Sequence, residues 1–310
     1  MKSKPLISIV ITTYERDTYL EKTIESVIQE VNGNPLVEII ILDNASSNSN
    51  IGRLACLYGV DSFVKNSTNL GLFGNWNKAF SVSKGEYVFI MGDDDVMFAG
   101  FINECLLAID ANPHIDIVYT DYQAIDKDGF DCASSMPAPF GLITKNGAIE
   151  FALNNGFGLP TISMLYKRSL FSNSGFDENN FGSNDWFFLY LDMPWKYAIG
   201  IDKKLIGYRK HGGGASDTRS DICNISIFVL LWRIRNGRVF FGPNIIKQMS
   251  GAISSYNKLC ESKSEQDNKY ISEFRQLITE DHVVKFYMLF FIPVLKGFIG
   301  KVRGIIDRTL

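Results

Sequence analysis

Three aspartates in a row, Asp93, Asp94 and Asp95, follow Gly92 at the end of the apolar run 86–91. Carboxylates crowded at a buried strand end repel one another and are costly to desolvate. A divalent cation with oxygen ligands compensates them economically, and hard Mg²⁺ or Mn²⁺ suits such a donor set. In an open α/β sheet, ligands bind at the carboxyl ends of the strands, so a cation there would meet the phosphates of a nucleotide. A solvated acidic turn is the alternative.

Four further segments have side chains suited to the same chemistry. Thr12-Thr13-Tyr14-Glu15-Arg16 closes the first apolar run ahead of a helix, where polar side chains and free amides can hold a base or phosphate. By itself it also reads as a plain strand-to-helix turn. Asp43-Asn44-Ala45-Ser46-Ser47 follows the second run, where an acid can accept from a nucleobase N–H or a ribose hydroxyl. Ser47 or Asn48 is expected to cap the next helix, leaving Asp43 for the ligand. Asn69-Leu70-Gly71-Leu72-Phe73-Gly74-Asn75 has glycines that let backbone approach a ligand closely, with Asn75 in the first helical turns. It is neither the dinucleotide fingerprint nor a Walker loop. Gly182-Ser183-Asn184-Asp185-Trp186 sets an acid beside an aromatic at a helix start, and Asp185 reads either as a cap or as a general base.

The elements that must position these residues follow from the apolar pattern. Strands are expected at 6–13, 37–42, 61–65 and 86–91, and helices at 17–30, 48–58, 72–83 and 98–110. Alternation of this kind predicts an α/β architecture, a mostly parallel sheet flanked by helices. Beyond residue 115 the pattern predicts strands at 115–119, 161–166 and 204–209, a loop over 126–140, and a helix at 186–191. The last strand runs into His211-Gly212-Gly213-Gly214, and from about Cys223 the chain reads as a helical C-terminal appendage. This divides the chain into 1–215, made of a nucleotide-binding half (1–115) and an acceptor half (116–215), and a helical region, 216–310.

A net charge of −3 over 310 residues gives no basic footprint, so a nucleic-acid partner is not expected. The five cysteines are scattered without C-x-x-C spacing, which fits a reducing cytosol better than a disulfide framework or a zinc site. The first residues lead into a strand rather than a signal peptide, and no stretch has the length of a spanning helix. Residues 283–308 are basic and aromatic, with Phe286, Phe290, Phe291 and Phe298 among Lys285, Lys296, Lys301, Arg303 and Arg308. Such a segment suits peripheral contact with the inner face of the cell membrane; a helix pair packed on the preceding domain is the alternative.

Taken in order, these motifs resemble the family 2 glycosyltransferases of the GT-A fold. The residues that carry the resemblance are 8–16, Ile40 to Ser46, Asn69-Leu70-Gly71 with Asn75, and 83–88 running into Asp93-Asp94-Asp95. Gly175-Phe176-Asp177-Glu178, Asn184-Asp185-Trp186 and Tyr208-Arg209-Lys210-His211 complete it, over about residues 5 to 215. The resemblance implies that Thr12, Tyr14, Glu15, Asp43, Asn75, Asp93 and Asp94 surround a nucleotide-diphosphate sugar. It implies that Asp93, Asp95 and His211 attend Mn²⁺ or Mg²⁺, and that Asp185 is the general base of an inverting transfer. Asn184 stands where many relatives carry Glu, and Glu15 where Asn is common.

The expected reaction is transfer of a sugar, a hexose or deoxyhexose, to a saccharide hydroxyl, on a lipid-linked oligosaccharide in bacterial surface polysaccharide (O-antigen or capsule) synthesis. UDP or dTDP donors are favoured because Asp43 can pair with a pyrimidine N3–H. A nucleotidyltransferase would need a glycine-rich basic loop, which Thr12 to Arg16 lacks. A degenerate member acting as a saccharide-binding or assembly protein is the other reading.

Overall fold

The computed structural model describes residues 4–133, 135–179, 183–214, 220–234, 243–261 and 269–280. Ten strands run in chain order. They are β1 (Ile7–Thr13), β2 (Val37–Asp43), β3 (Ser62–Lys65), β4 (Tyr87–Gly92), β5 (Val96–Met97), β6 (Ile117–Ile125), β7 (Asp131–Ala133), β8 (Gly141–Thr144), β9 (Met164–Lys167) and β10 (Tyr197–Arg209). The α-helices are α1 (Leu20–Val31), α2 (Asn50–Leu57), α3 (Gly71–Val82), α4 (Phe101–Ala111), α5 (Lys145–Asn155) and α6 (Asn184–Phe187). Three more follow, α7 (Ser220–Ile234), α8 (Pro243–Glu261) and α9 (Lys269–Glu280).

Every residue of β1 and β2 is buried, as expected of strands covered on both faces. The sheet runs β3-β2-β1-β4-β9-β6-β10-β5, with β7 on β6 and β8 on β10. β3, β2, β1 and β4 are parallel. β9 is antiparallel to both β4 and β6, and β10 is parallel to β6. Helix α1 shows why the pattern was readable: Leu20, Thr23, Ile24, Val27 and Val31 lie at helical spacing and are buried. It ends where Asn32 turns left-handed at φ 44°.

At the amino-terminal edge of the sheet the glutamate of β2, Glu38, is almost wholly buried. It accepts from the Ser8 hydroxyl at 2.5 Å and the Lys84 amide at 2.6 Å, and Ser8 in turn accepts from the Gly85 amide at 2.8 Å. A Cβ on Gly85 would lie 2.6 Å from the Ser8 backbone nitrogen, so no other residue fits there without moving β1.

The expected elements of the first 110 residues are present with shifted ends. After that the differences grow. The strand expected at 115–119 continues to Ile125, the loop expected at 126–140 contains β7, and β8 and α5 were not foreseen. The strand expected at 161–166 begins with a 3-10 turn, Thr161–Ser163, before β9. The last strand starts at Tyr197, seven residues before the expected 204. The helix expected from Trp186 begins at Asn184 and becomes a π-helical turn at Phe188–Asp192.

The chain forms two compact units. One holds the whole sheet (Met1–Glu150, Gly158–Glu178 and Phe188–Gly214); the other comprises Phe151–Phe157, Asn179–Phe187 and the helices after Gly214. In the second unit α7 is apolar on nearly all sides and packs against α8 and α9, with Phe228 edge-on to Phe274. Among the described residues no helix is long and apolar enough to cross a membrane, and the basic segment 283–308 lies outside them.

Candidate active site

Strand register gathers the first four motifs at one edge of the sheet. Thr13 pairs with Asp43 across β1 and β2, and Thr12 pairs with Gly92 across β1 and β4. Asp43, Thr13 and Asp93 therefore fall in a row over three neighbouring strands. The Thr12 hydroxyl donates to the Met91 carbonyl at 3.2 Å, fastening β1 to β4 just below the acids.

The acidic turn is built largely by α1. Thr23 donates to the Asp95 carbonyl at 2.7 Å, and the Ser26 hydroxyl accepts the Met97 amide at 3.0 Å. Glu30 accepts the Gly100 and Ile102 amides at 3.0 and 2.9 Å, capping α4 from outside it. Residues 23, 26 and 30 lie along one helix face, so a single rigid element sets the course of the backbone from Asp95 to Ile102. Gly92 matters for the opposite reason: a Cβ there would sit 2.7 Å from an Asp94 oxygen and 3.3 Å from an Asp95 oxygen.

Asp93 and Asp95 are both buried. Arg16 forms an ion pair with Asp93 and stands 3.2 Å from Asp94. Burial, helped by the Asp94 charge, pushes the Asp93 carboxyl up to about 6 against the pull of Arg16. Burial and Asp94 also push Asp95 upward, while the Arg209 amide, donating to Asp95 at 3.0 Å, works the other way. Asp94 is less deeply buried, its side chain 15% exposed, and meets His211 Nε2 at 3.0 Å. Asp93 Oδ2 is buried and accepts no hydrogen bond.

Such an acidic oxygen-donor set with an orphaned carboxylate oxygen fits a hard divalent cation. Among the described residues no group of three or more His, Cys, Asp or Glu converges at ligand spacing.

Arg209 and His211, at the end of β10, close the acidic turn from the other side. The Arg209 guanidinium donates to the Asp94 carbonyl at 2.8 Å and to those of Asp126 and Lys127 at 3.0 and 3.2 Å. It lies 4.7 Å from the Tyr19 ring centre, and His211 packs on the same ring at 5.1 Å. Motif reading pointed to His211; it missed Arg209 and Arg16 as partners of the acids, and Tyr19 as the ring on which Arg209 and His211 pack.

The second acid, Asp43, is buried. Its Oδ1 accepts the Ser46 amide at 2.9 Å, so it is only half available; Oδ2 accepts no hydrogen bond. The helix cap expected at Ser47 or Asn48 falls instead on Ser49, which makes no side-chain capping bond; the Asn48 side chain accepts the Asn50 amide at 2.9 Å, a local turn just ahead of α2. Glu15 sits left-handed at φ 55° and its carboxylate accepts the Ser47 amide at 2.7 Å, which holds the acid below its ordinary range. Glu15 thus ties two loops together, while the neighbouring Tyr14 ring is exposed. Asn75 is buried and accepts from Asn66 at 2.9 Å; Asn66 also donates to Asn44, which donates to Asn69 and Gly71. This amide chain fixes the loop where Gly71 turns at φ 73°.

Asp185 belongs to the other unit. It lies in the first turn of α6, partly exposed between buried Asn184 and Trp186. The Ser226 hydroxyl of α7 accepts the Ser183 amide at 2.8 Å, and Arg233 lies over the Phe187 ring at 5.4 Å.

Known proteins share sequence and fold with this chain. The family model described as "Glycosyl transferase family 2" matches residues 8–173, more than half of the chain. An uncharacterized glycosyltransferase of Methanocaldococcus jannaschii is 30% identical over 66% of this chain and 71% of its own length. Two uncharacterized glycosyltransferases of Haemophilus influenzae, 26% and 25% identical, match 37% and 55% of this chain over 36% and 55% of their own length. Among solved structures, S. aureus TarS 1–349 in complex with UDP-GlcNAc superposes with a TM-score of 0.63 at 16% identity, covering 97% of this chain and 90% of that one. The mannosyltransferase PcManGT of Pyrobaculum calidifontis, in complex with GDP-Man and Mn²⁺, gives 0.55 at 12% identity over 98% and 86%.

Proposed function

This chain belongs to glycosyl transferase family 2 and has the GT-A fold, and from that premise we propose that it transfers a sugar from a nucleotide-diphosphate donor to a saccharide hydroxyl with inversion. The observation that carries the reading is the row Asp43, Thr13, Asp93, with a buried, unbonded carboxylate oxygen at each end. Unpartnered buried acceptors are rare in folded proteins, and two at one edge of the sheet suit a ligand that donates to one and brings a cation to the other.

Thr12, Tyr14 and Asp43 hold the nucleoside, with the exposed Tyr14 ring free to stack on it. Asp93 and Asp95 would hold Mn²⁺ or Mg²⁺, which supplies Lewis acidity to the diphosphate when bound. Arg16 is the nearest cation to Asp93, so it either shares the acids with the metal or moves to a phosphate oxygen. Asp185 takes the proton of the acceptor hydroxyl while that oxygen bonds to the anomeric carbon. The bond from that carbon to the phosphate oxygen breaks in the same step, and the nucleoside diphosphate departs. One displacement inverts the configuration.

The acceptor is a saccharide, lipid-linked in surface polysaccharide synthesis, by the resemblance of the ordered motifs. On that reading the chain works on the cytoplasmic side, with 283–308 touching the membrane, 1–215 as the catalytic domain and 216–310 as its appendage, residues 179–187 with Asp185 grouping with the described helices of that appendage. Thermal stability measured with a panel of nucleoside diphosphates, with Mn²⁺ and with chelator, tests the donor site. A metal-dependent rise for at least one nucleotide is expected. No rise for any of them, with tight saccharide binding instead, would favour a saccharide-binding or assembly protein.

A further inference from the structure

A second recess lies on the unit that holds the sheet, away from the acidic turn. Its volume is about 370 Å³, within the usual range of ligand sites; α3 forms one wall and residues 168–175 the other. Arg168 bonds to Gly85 and Glu86, where the chain enters β4, whereas Asp93 follows the end of that strand. The length of β4, roughly 20 Å, therefore separates the recess from the acids.

The recess is built rigidly. The Asn77 side chain accepts the Phe176 amide at 2.9 Å and donates to the Phe176 carbonyl at 2.9 Å and to Glu178 at 2.8 Å. A Cβ on Gly175 would lie 2.5 Å from Asn77 Oδ1, so the two walls meet as closely as glycine permits. Buried Phe80 stacks on Phe171, whose ring is partly exposed and gives the recess an apolar side.

Its polar groups are of two kinds. Arg168, partly buried, donates from Nε to the Gly85 carbonyl at 2.9 Å and from its backbone amide to the Glu86 carbonyl at 2.7 Å. A guanidinium carries five N–H donors, so most of them stay unbonded. Among the described residues no acid pairs with it, and the Glu86 carboxylate is taken by Lys167 at 3.2 Å. Ser81 and Ser172 are the reverse. Each hydroxyl gives its proton to a backbone carbonyl, of Lys78 at 2.8 Å and of Ser169 at 2.9 Å, and presents only lone pairs.

We infer that this recess is a second binding site, for a carboxylate-bearing sugar unit of a saccharide chain. The sugar carboxylate meets the fixed guanidinium in a charge-assisted, planar pairing. Ring hydroxyls donate to Ser81 and Ser172, and the C–H bonds of the ring lie against Phe171. A bare anion has no proton for either serine, and a neutral sugar leaves the guanidinium without a counter-charge; an acidic sugar satisfies both. The site needs neither nucleotide nor metal, so it stands apart from the donor-site reading.

The test is a ligand-detected NMR titration of the whole chain, without nucleotide or metal, using methyl glucuronoside, methyl glucoside and inorganic sulfate. The glucuronoside is expected to bind at least about fivefold more tightly than either of the others. Arg168→Gln, which keeps a donor for the Gly85 carbonyl and removes the charge, is expected to weaken it about tenfold or more. Ser81→Ala, at an exposed helical position that alanine suits, is expected to weaken it about threefold while leaving sulfate unaffected. Sulfate binding as tightly as the glucuronoside would make the recess an anion site only, and the glucoside doing so would leave Arg168 without a role; either overturns the inference. Glucuronoside binding that neither substitution weakens overturns it too, because the sugar then sits elsewhere, and so does no glucuronoside binding at all. None of these outcomes touches the nucleotide test of the donor site.

Discussion

Arg16 forms an ion pair with Asp93, and the same guanidinium stands 3.2 Å from Asp94. One arginine from the β1–α1 turn thus neutralises two of the three acids. Its side chain is 42% exposed, so removing it costs less than the roughly 3–5 kcal/mol of a fully buried pair. For Arg16→Gln we expect a loss of about 1–2 kcal/mol without metal, after discounting for solvent. We also expect a larger Mn²⁺-induced rise in Tm than in the wild type, because the acids then lack their internal cation. A smaller rise would mean that Arg16 helps the metal rather than standing in for it.

The raised acids predict how metal binding varies with pH. Asp93 is pushed from the ordinary 3.8 to about 6, so the folded state holds the extra proton between those values. Stability from this group is greatest at low pH and falls as pH rises through about 6, by up to ~3 kcal/mol if it acted alone. A cation competes with that proton. The Mn²⁺-induced rise in Tm should therefore grow between pH 5 and pH 7.5 and be small at pH 5. A pH-independent rise would place the metal away from Asp93.

Asp185→Asn separates binding from chemistry. If Asp185 is the base, donor affinity by calorimetry should stay within about twofold of wild type, while kcat drops by about 10²–10⁴. Equal loss in donor affinity would assign it a binding role. Asn184, almost completely buried, is a poor site for the same experiment because its replacement disturbs α6.

Gly85→Ala tests the fold rather than the chemistry. The added methyl would meet the Ser8 nitrogen and the Ile7 carbonyl carbon at 2.6 and 2.8 Å, both backbone atoms. Overpacking of this kind costs about 1–3 kcal/mol, read as a lower urea midpoint with unchanged slope. An unchanged midpoint would mean that β1 shifts freely at its start.

The first 110 residues were legible because their strands are continuous apolar runs and their helices carry one apolar face. The acids were legible for the converse reason, as charges set directly against apolar strands. Arg209 was hidden, since nothing local to a basic residue near position 209 points to an acidic turn 114 residues earlier. Thr23, Ser26 and Glu30 were hidden as well: on α1 they look like ordinary helix-surface polar residues, yet they shape the turn from Asp95 to Ile102. Strands β7 and β8 are short and exposed, so no apolar alternation marks them. The π-helical turn at Phe188–Asp192 has no periodicity of its own to read.

The reversed strand β9 also dictates an order of assembly. During synthesis β1, β2, β3 and β4 can pair as soon as residue 92 is available, since their ladders are complete among themselves. β6 has no place beside them until Met164–Lys167 arrives to fill the gap between β4 and β6. The Arg209 amide and guanidinium reach the acidic turn later still. A chain stopped before residue 164 therefore presents bare strand edges on β4 and β6, and it should aggregate rather than survive as a small donor-binding domain.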